Sequence, residues 1–178
     1  MNSNQPVILS PVEYEKAVAE MLRASEHGLS GFEVTHREVM QGQDGEYEID
    51  VVARFTALGG DFKVLVECKH HKSPVKRDVV QVLKDRLHST GSQKGMIFST
   101  SGFQSGAIEY AKAHGIALMR FEDGSTTYLA RSQNVVKKPD WIADYAGWMY
   151  GVGDDGKETL SVISRDHAEY LDKFLKKP

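Results

Sequence analysis

Two short apolar runs, each preceded by a segment with the length of a helix, constrain the fold of this chain more than any other feature of its sequence. Residues 95–100 and 116–121 are apolar on both faces, as strands in the middle of a parallel sheet are. The strand before them, residues 62–69, alternates in hydrophobicity. This order of strand, helix, strand, helix, strand implies parallel pairing through right-handed crossovers, and it predicts an α/β fold.

The first helix is predicted from three agreeing signals at its start. Ser10 is a serine N-cap, Pro11 occupies the first helical position, and Glu13 stands three residues after the cap. We expect this helix to run to about residue 25. Its buried stripe is predicted to comprise Tyr14, Val18, Met21 and Leu22. Glu15 borders this stripe instead of facing solvent with the other glutamates, because it precedes two members of the stripe by three and seven residues.

Two strands joined by a hairpin are expected after the first helix. Residues 32–40 are predicted to form a strand, and residues 42–45 have the composition of an Asp-Gly hairpin turn. The next strand alternates strictly, and one of its predicted faces comprises Tyr47, Ile49, Val51, Ala53 and Phe55. The other face is predicted to comprise Glu46, Glu48, Asp50, Val52 and Arg54. In the third strand, Glu67 and Lys69 point to one side because they are two residues apart.

A second helix is predicted to begin at Ser73 and Pro74, to reach about Ser89 and to end at Gly91. Its predicted core stripe comprises Val75, Val79, Val82 and Leu83. A different face of the same helix comprises Arg77, Gln81, Lys84 and His88. A third helix is expected over residues 104–114, with Gly115 as its C-terminal cap.

The last third of the chain has weaker signals. Residues 127–130 and 159–163 are predicted strands, residues 141–150 are rich in aromatic side chains, and residues 165–176 are a predicted closing helix. A segment of this length is small for an independent domain without disulfides or metals. We therefore expect a core over residues 1–121 and a C-terminal α+β extension, residues 122–178, that packs on the same domain.

Composition and charge narrow the class of protein. The 178 residues carry a net charge of −3 and one cysteine, Cys68, so we expect a soluble cytoplasmic domain without disulfides. Neither an apolar run of membrane-spanning length nor a secretory signal is present, so no membrane partner is expected. Residues 1–68 hold 5 basic and 12 acidic groups, whereas residues 69–94 hold 7 basic and 2 acidic groups. A local basic block of this kind suits a confined contact with phosphate.

Three polar residues on the predicted hairpin and third strand carry the chemistry. Asp50 lies on a strand next to the one that bears Glu67 and Lys69. Two carboxylates on adjacent strands are suited to a hard divalent cation, because Mg²⁺ prefers oxygen ligands. A lysine beside such a cation orients water and offsets charge that develops on a phosphate. The basic helix face with Arg77 and Lys84 begins only eight residues after Lys69, so we expect it to hold a backbone phosphate.

Together these residues resemble the PD-(D/E)XK nucleases, and within them the Mrr-like type IV restriction endonuclease group. The resemblance extends over residues 13–121 and is carried by Tyr14-Glu15, Glu48-Ile49-Asp50, Val66-Glu67-Cys68-Lys69, Gln81, Phe98-Ser99-Thr100-Ser101-Gly102-Phe103, Ala111 and Gly115-Ile116. It implies a restriction-endonuclease-like mixed β-sheet flanked by helices. It departs from the family at Glu48, a third carboxylate where relatives often have a small residue, and in the segment after residue 121.

The resemblance also implies an activity and roles for single residues. The activity is Mg²⁺-dependent (or Mn²⁺-dependent) endonucleolytic hydrolysis of phosphodiester bonds in DNA. Asp50 and Glu67 become metal ligands, Lys69 the water-activating or charge-stabilising group, and Glu15 and Gln81 supporting residues of the catalytic site. Contacts with DNA are expected from Lys72, Arg77, Lys84 and Ser101.

Several alternatives stay open at the level of single residues. Glu67 and Lys69 also fit a surface ion pair, Glu15 a helix-surface charge, and Ser101 ordinary capping as well as phosphate binding. Zinc binding by Cys68 and its neighbouring histidines is rejected, because adjacent strand residues point to opposite faces and zinc sites need about four ligands. A nucleophilic role for Cys68 is rejected as well, because the residue faces away from Glu67 and Lys69.

Two further classes of function compete with the restriction-endonuclease-like enzyme. One is a catalytically silent nuclease-fold module that binds nucleic acid, and the other is a repair or junction nuclease of the same fold. A homodimer suits double-strand cutting, because one site cuts one strand. A separate recognition partner is expected too, since residues 122–178 alone are left to read the DNA.

Overall fold

The computed structural model of the chain describes residues 9–24, 29–123, 145–152, 158–163 and 169–176. The elements in chain order are α1 (Pro11–Ala24), β1 (Ser30–Gln41), β2 (Glu46–Ala57), β3 (Gly60–Lys69), α2 (Arg77–Thr90), β4 (Lys94–Ser99), α3 (Ser105–His114), β5 (Ile116–Asp123), β6 (Tyr145–Val152), β7 (Glu158–Ile163) and α4 (Glu169–Lys176). The predicted strand 127–130 and the first residues of the predicted helix 165–176 lie outside the described residues, as does Trp141 in the aromatic-rich segment.

The seven strands form one mixed sheet in the order β1-β2-β3-β4-β5-β6-β7. β1, β2 and β3 pair antiparallel, β3, β4 and β5 pair parallel, and β5, β6 and β7 pair antiparallel again. The two parallel pairs are joined by α2 and α3, which confirms the crossovers predicted from the apolar runs. No helix among the described segments has the length and hydrophobicity needed to span a membrane.

Helices cover both faces of this sheet and divide the core into two clusters. The first cluster packs α1 and α4 against the sheet, and the second packs α2 and α3 against the opposite face. β4 contributes to both, because Met96 and Phe98 lie in the first cluster and Ile97 in the second. This arrangement confirms a restriction-endonuclease-like mixed sheet flanked by helices.

The signals at helix ends were largely correct. Ser10 N–H donates to Glu13 Oε2 at 2.8 Å and Glu13 N–H donates to Ser10 Oγ at 3.3 Å, so the predicted capping box opens α1. Gly91 and Gly115 end α2 and α3 in the left-handed conformation, with φ of 62° and 64°.

The predicted start of the second helix was wrong. Val75 pairs with Phe103 in an isolated parallel bridge, and its N–H donates to the Gly102 carbonyl at 2.9 Å. This pairing keeps the residues after Ser73 and Pro74 extended, so α2 begins only at Arg77. The core stripe shifts with it: Val80, Leu83 and Leu87 are buried, whereas Val82 is exposed and Val75 is buried outside the helix.

Residues beyond β5 add to the same sheet where the structure describes them. β6 pairs with β5, β7 pairs with β6, and Ile163, Leu171 and Leu175 are buried in the first cluster. The predicted strand 159–163 corresponds to β7, and the described part of the predicted closing helix is α4.

Candidate active site

The side chains of β2 change from one core cluster to the other at Asp50. Val51, Ala53 and Phe55 pack in the first cluster, as expected for one face of a strand. Ile49, which has the same parity, packs in the second cluster instead, and Tyr47 packs against that cluster too. The prediction that Tyr47, Ile49, Val51, Ala53 and Phe55 share one face was therefore wrong. Asp50 lies at the point where the strand reverses its faces.

A strained residue in β1 faces this point. The pairs His36↔Val51 and Glu38↔Ile49 put Arg37 opposite Asp50 in the register of the two strands. Arg37 has a φ of 52°, in the left-handed region that residues other than glycine rarely adopt. Side chains of consecutive strand residues normally point to opposite faces, but those of His36 and Arg37 reach the same carboxylate, that of Glu15.

Glu15 is buried on α1 and is held by two residues of β1. His36 Nε2 lies 2.9 Å from Glu15 Oε2, and Arg37 donates to the two carboxylate oxygens at 2.8 and 3.2 Å. Burial raises the pKa of Glu15. The hydrogen bonds from Arg37 and His36 together lower it by a larger amount, so the pKa of Glu15 lies below its ordinary value. Glu15 is thus an ionised, paired group and not a solvated charge of the helix surface.

Asp50 is a carboxylate whose charge is poorly compensated. Its Oδ2 accepts a hydrogen bond of 2.7 Å from the Cys68 N–H, which ties β2 to β3 beyond the last regular pair of their ladder. The pKa of Asp50 is raised to about 6, mainly by burial and also by the charges of Glu67 and Glu15. The hydrogen bond from Cys68 and the charge of Lys69 oppose this rise. A cation beside Asp50 would relieve this penalty.

Glu67 is a buried carboxylate with a basic side chain on each oxygen. Lys69 Nζ lies 2.6 Å from its Oε1, and Arg86 Nη1 of α2 lies 2.8 Å from its Oε2. The same-side prediction for Glu67 and Lys69 is consistent with this contact between their side chains. Three side chains therefore lie near one another just beyond the last regular pair of the β2–β3 ladder, those of Asp50, Glu67 and Lys69. Glu15 is close enough for its charge to act on Asp50.

Two neighbours of this site bear on the alternatives weighed for it. Cys68 has a pKa well above its ordinary value because it is buried and because Asp50, Glu15 and Glu67 surround it with negative charge. Its thiol therefore stays protonated at neutral pH, in line with the rejection of a nucleophilic role. The hydroxyl of Tyr14 is completely buried beside this site and has no hydrogen-bond partner among the described residues.

The other predicted site residues lie outside this group of contacts. Gln81 and Lys84 are exposed on α2, and Glu48 is exposed on β2. The Arg77 guanidinium lies over the ring of Tyr110, 5.0 Å from its centroid. Lys72 is exposed in the segment before α2.

Ser101 makes hydrogen bonds within the protein. Its hydroxyl donates to the Ser73 carbonyl at 2.6 Å, and its N–H donates to Ser99 Oγ at 3.2 Å. The backbone N–H that would bind a phosphate is therefore already engaged. Ser101 does not cap α3 either, because Gln104 occupies the N-cap position of that helix.

Three residues of the candidate site were missed from the sequence: His36, Arg37 and Arg86. A signal for Arg86 was present, because it follows Leu83, a member of both the predicted and the observed stripe of α2, by three positions. His36 and Arg37 carried no such signal, because their common contact depends on the left-handed conformation of Arg37.

The donor set at Asp50 and Glu67 fits a hard divalent cation. Both groups supply carboxylate oxygens, and Asp50 is desolvated without a full countercharge. The described residues contain no group of three or more His, Cys, Asp or Glu side chains arranged to hold a metal ion. A cation at this place would complete its coordination with water, as Mg²⁺ commonly does.

Comparison with known proteins agrees with this geometry. The family model Mrr_cat, described as restriction endonuclease, matches residues 8–124. The chain belongs to the Mrr-type restriction endonuclease family. The matched range contains every residue of the site described above, from Glu15 to Arg86.

A solved structure and a search of curated proteins complete the comparison. The crystal structure of AF1548, described as a protein of unknown function, is similar with a TM-score of 0.51 and 28% identity. The similarity covers 61% of this chain and 57% of that chain, so this member of the Mrr-type family spans little more than half the length of that relative. No curated protein matches the chain.

Proposed function

We propose that this chain is an endonuclease that hydrolyses phosphodiester bonds in DNA with Mg²⁺, or Mn²⁺, held by Asp50 and Glu67. The observation that carries the proposal is the desolvated carboxylate of Asp50, with its pKa of about 6, next to the Glu67–Lys69 pair. Carboxylates in such an environment favour a bound cation over a proton at neutral pH. Family membership supports nuclease chemistry within residues 8–124, the range that contains this site.

When bound there, a divalent cation supplies a water of lowered pKa and stabilises negative charge on the phosphate. The residues of the chain keep the carboxylates in place for it. Cys68 N–H fixes Asp50 Oδ2, and Arg86 fixes Glu67 Oε2. The ammonium group of Lys69 lies at Glu67 Oε1. From there it can move to an oxygen of the substrate phosphate and stabilise negative charge on it.

Two further groups lie next to the Asp50–Glu67 site and support it: the paired carboxylate of Glu15 and the hydroxyl of Tyr14. The pairing of Glu15 with His36 and Arg37 limits the repulsion between Glu15 and Asp50. The unpartnered hydroxyl of Tyr14 is available to a water at the site, which would satisfy its hydrogen bond. Gln81 is proposed to support the site from α2. DNA contacts are proposed for Lys72, Arg77 and Lys84.

A catalytically silent nucleic-acid-binding module is the second candidate. It is favoured by one observation, namely that Lys69 and Arg86 already compensate both oxygens of Glu67. In this case the group would be a structural ion-pair network, and no cation would be needed.

The experiment uses supercoiled plasmid, methylated and unmethylated, with Mg²⁺ or with chelator. We expect nicking or linearisation that needs Mg²⁺ and is lost in Asp50→Asn and Lys69→Ala. Lys112→Gln, an exposed lysine of α3, is the matched control and retains cleavage. Absence of plasmid cleavage by well-folded protein would reject cleavage of ordinary duplex DNA, and cleavage by both active-site variants equal to that of the wild type would reject the assigned site. In the first case DNA binding without cleavage would favour the silent module, and nicking specific to branched or damaged DNA would favour a repair or junction nuclease.

The assembly is part of the same proposal. Because one site cuts one strand, we infer a homodimer for double-strand cutting, with DNA recognition supplied by a separate partner. Residues 122–178 are proposed to belong to the same domain as the nuclease core, as supported by the pairing of β6 with β5. Sedimentation of the protein with and without DNA tests the dimer.

A further inference from the structure

A cleft of about 300 Å³ opens beside Lys69, between the end of β3 and the start of α2. Its lining includes three lysines, Lys69, Lys72 and Lys76, and three apolar residues, Pro74, Val75 and Val79. The volume lies at the lower end of the range of roughly 300–1,000 Å³ that is typical of sites for small ligands. Lys69 lines the cleft and also contacts Glu67, so the cleft adjoins the carboxylate site.

One wall of the cleft is a segment of backbone that hydrogen bonds hold in place. Residues 70–76 connect β3 to α2 without regular structure, and the loop after β4 holds them at several points. Thr100 N–H donates to the Lys69 carbonyl at 3.2 Å, Thr100 Oγ1 to the His71 carbonyl at 3.1 Å, and Ser101 Oγ to the Ser73 carbonyl at 2.6 Å. The bridge between Val75 and Phe103 closes the segment. These bonds make the cleft a preformed feature of the fold.

The charges and the apolar surface of the cleft suit one class of ligand. The three lysines outnumber the single carboxylate in the lining, that of Asp78. Lys72 and Lys76 are exposed, so their ammonium groups are available to an anion. The apolar side chains between them suit the sugar of a nucleotide, and the lysines suit its phosphate.

We infer that this cleft binds the nucleotide unit that adjoins the scissile phosphate. Its phosphate contacts Lys72 and Lys76, and its sugar lies against Pro74 and Val79. This inference rests on the proposed function, because it takes the Asp50–Glu67 site as the place of cleavage. It adds a second contact region, which fixes the register of the strand on one side of the cut.

The test measures binding, which does not depend on cleavage. Fluorescence anisotropy with a short fluorescein-labelled DNA duplex is recorded in chelator over a series of salt concentrations. For Lys72→Gln/Lys76→Gln we expect roughly tenfold weaker binding and a slope of log Kd against log salt that is smaller by about 2. Lys112→Gln, which removes one lysine of α3 outside the cleft, is expected to behave as the wild type.

A second variant tests the apolar part of the cleft without a change of charge. Val79→Phe narrows the cleft, so we expect binding several-fold weaker than wild type with an unchanged salt slope. Thermal unfolding of each variant shows that the loss is not one of folding. Affinities and salt slopes of the double variant and of Val79→Phe equal to those of the wild type would overturn the inference. Weaker binding by these variants in a protein that cleaves no DNA would keep the cleft and reject only the proposed nuclease.

Discussion

Arg37 of β1 lies opposite Asp50 of β2, and both strands reverse their faces at this level. In β1, Phe32 and Val34 pack in the first core cluster, whereas Met40, with the same parity, packs in the second. The left-handed conformation of Arg37 provides the physical cause, because one such residue changes the direction of the side chains that follow. Asp50 therefore belongs to neither core layer and is available to a ligand.

The raised pKa of Asp50 predicts a pH-dependent gain in stability for Asp50→Asn. The pKa rises from the ordinary 3.8 to about 6, so the penalty on the folded state develops as the pH rises between these two values and is complete above about pH 6. At about pH 8 we expect Asp50→Asn to increase the free energy of unfolding by about 1–2 kcal/mol, after allowance for solvent screening. This gain should disappear below about pH 4, where the carboxyl group is protonated in both states.

Urea unfolding of both proteins at several pH values in chelator measures this difference. Addition of Mg²⁺ at about pH 8 should then stabilise the wild type and leave Asp50→Asn unchanged, because a cation that binds only the folded state raises stability by mass action. A constant difference from acid to alkaline pH would contradict the assignment of the penalty to ionised Asp50.

The pairing of Glu15 predicts the opposite dependence on pH. Its pKa is lowered in the folded protein, so its contribution to stability is complete above the ordinary value of 4.5 and is lost as the pH falls through the lowered pKa. Glu15→Gln should lower the free energy of unfolding by about 1–2 kcal/mol at neutral pH, because His36 and Arg37 lose a charged partner. The loss should shrink in acid. Glu20→Gln, an exposed glutamate of the same helix, should change stability by no more than about 0.5 kcal/mol at either pH.

The contact between Arg86 and Glu67 predicts that loss of Arg86 changes both the stability of the protein and its response to Mg²⁺. In Arg86→Met, Glu67 keeps only Lys69 as a partner, so the protein without cation should lose about 2 kcal/mol of stability. Mg²⁺ should then raise the melting temperature of Arg86→Met more than that of the wild type, because the carboxylate is less compensated. Lys84→Met, an exposed position on the same helix, is the control for stability. An equal shift with Mg²⁺ in all three proteins would show that Glu67 does not take part in cation binding.

Local signals in the sequence were sufficient for most elements of the fold. The capping box at Ser10, the left-handed glycines at the ends of α2 and α3 and the apolar runs of β4 and β5 each act within a few residues, and each was correct. The predicted start of α2 was wrong, because the cap and proline signal at Ser73 competes with a long-range bridge from Val75 to Phe103. Tertiary pairing there outweighs the local preference.

The site was predictable only in part for the same reason. Parity along β3 gave the common side of Glu67 and Lys69, since a regular strand follows a fixed alternation. The alternation along β2 failed at Asp50, because the reversal comes from a residue on another strand. The pairing of Glu15 with His36 and Arg37 could not be predicted, because no spacing in the sequence connects these residues to Glu15.

Arg37 itself provides a measure of the strain stored at this site. A residue with a side chain costs roughly 1–2 kcal/mol in the left-handed region, whereas glycine adopts it freely. Arg37→Gly and Arg37→Ala both remove the pairing with Glu15, so their difference isolates the backbone. We expect Arg37→Gly to be more stable than Arg37→Ala by about 1 kcal/mol in urea unfolding.

The neighbouring exposed position Val39 gives the matched comparison. Its φ is not positive, so Val39→Gly should be less stable than Val39→Ala by roughly 0.5–1 kcal/mol, the reverse of the order at Arg37. The same order at both positions would contradict strain at Arg37. If the reversal is found, the strain belongs to the residue that lies opposite Asp50, at the level where both strands reverse their faces.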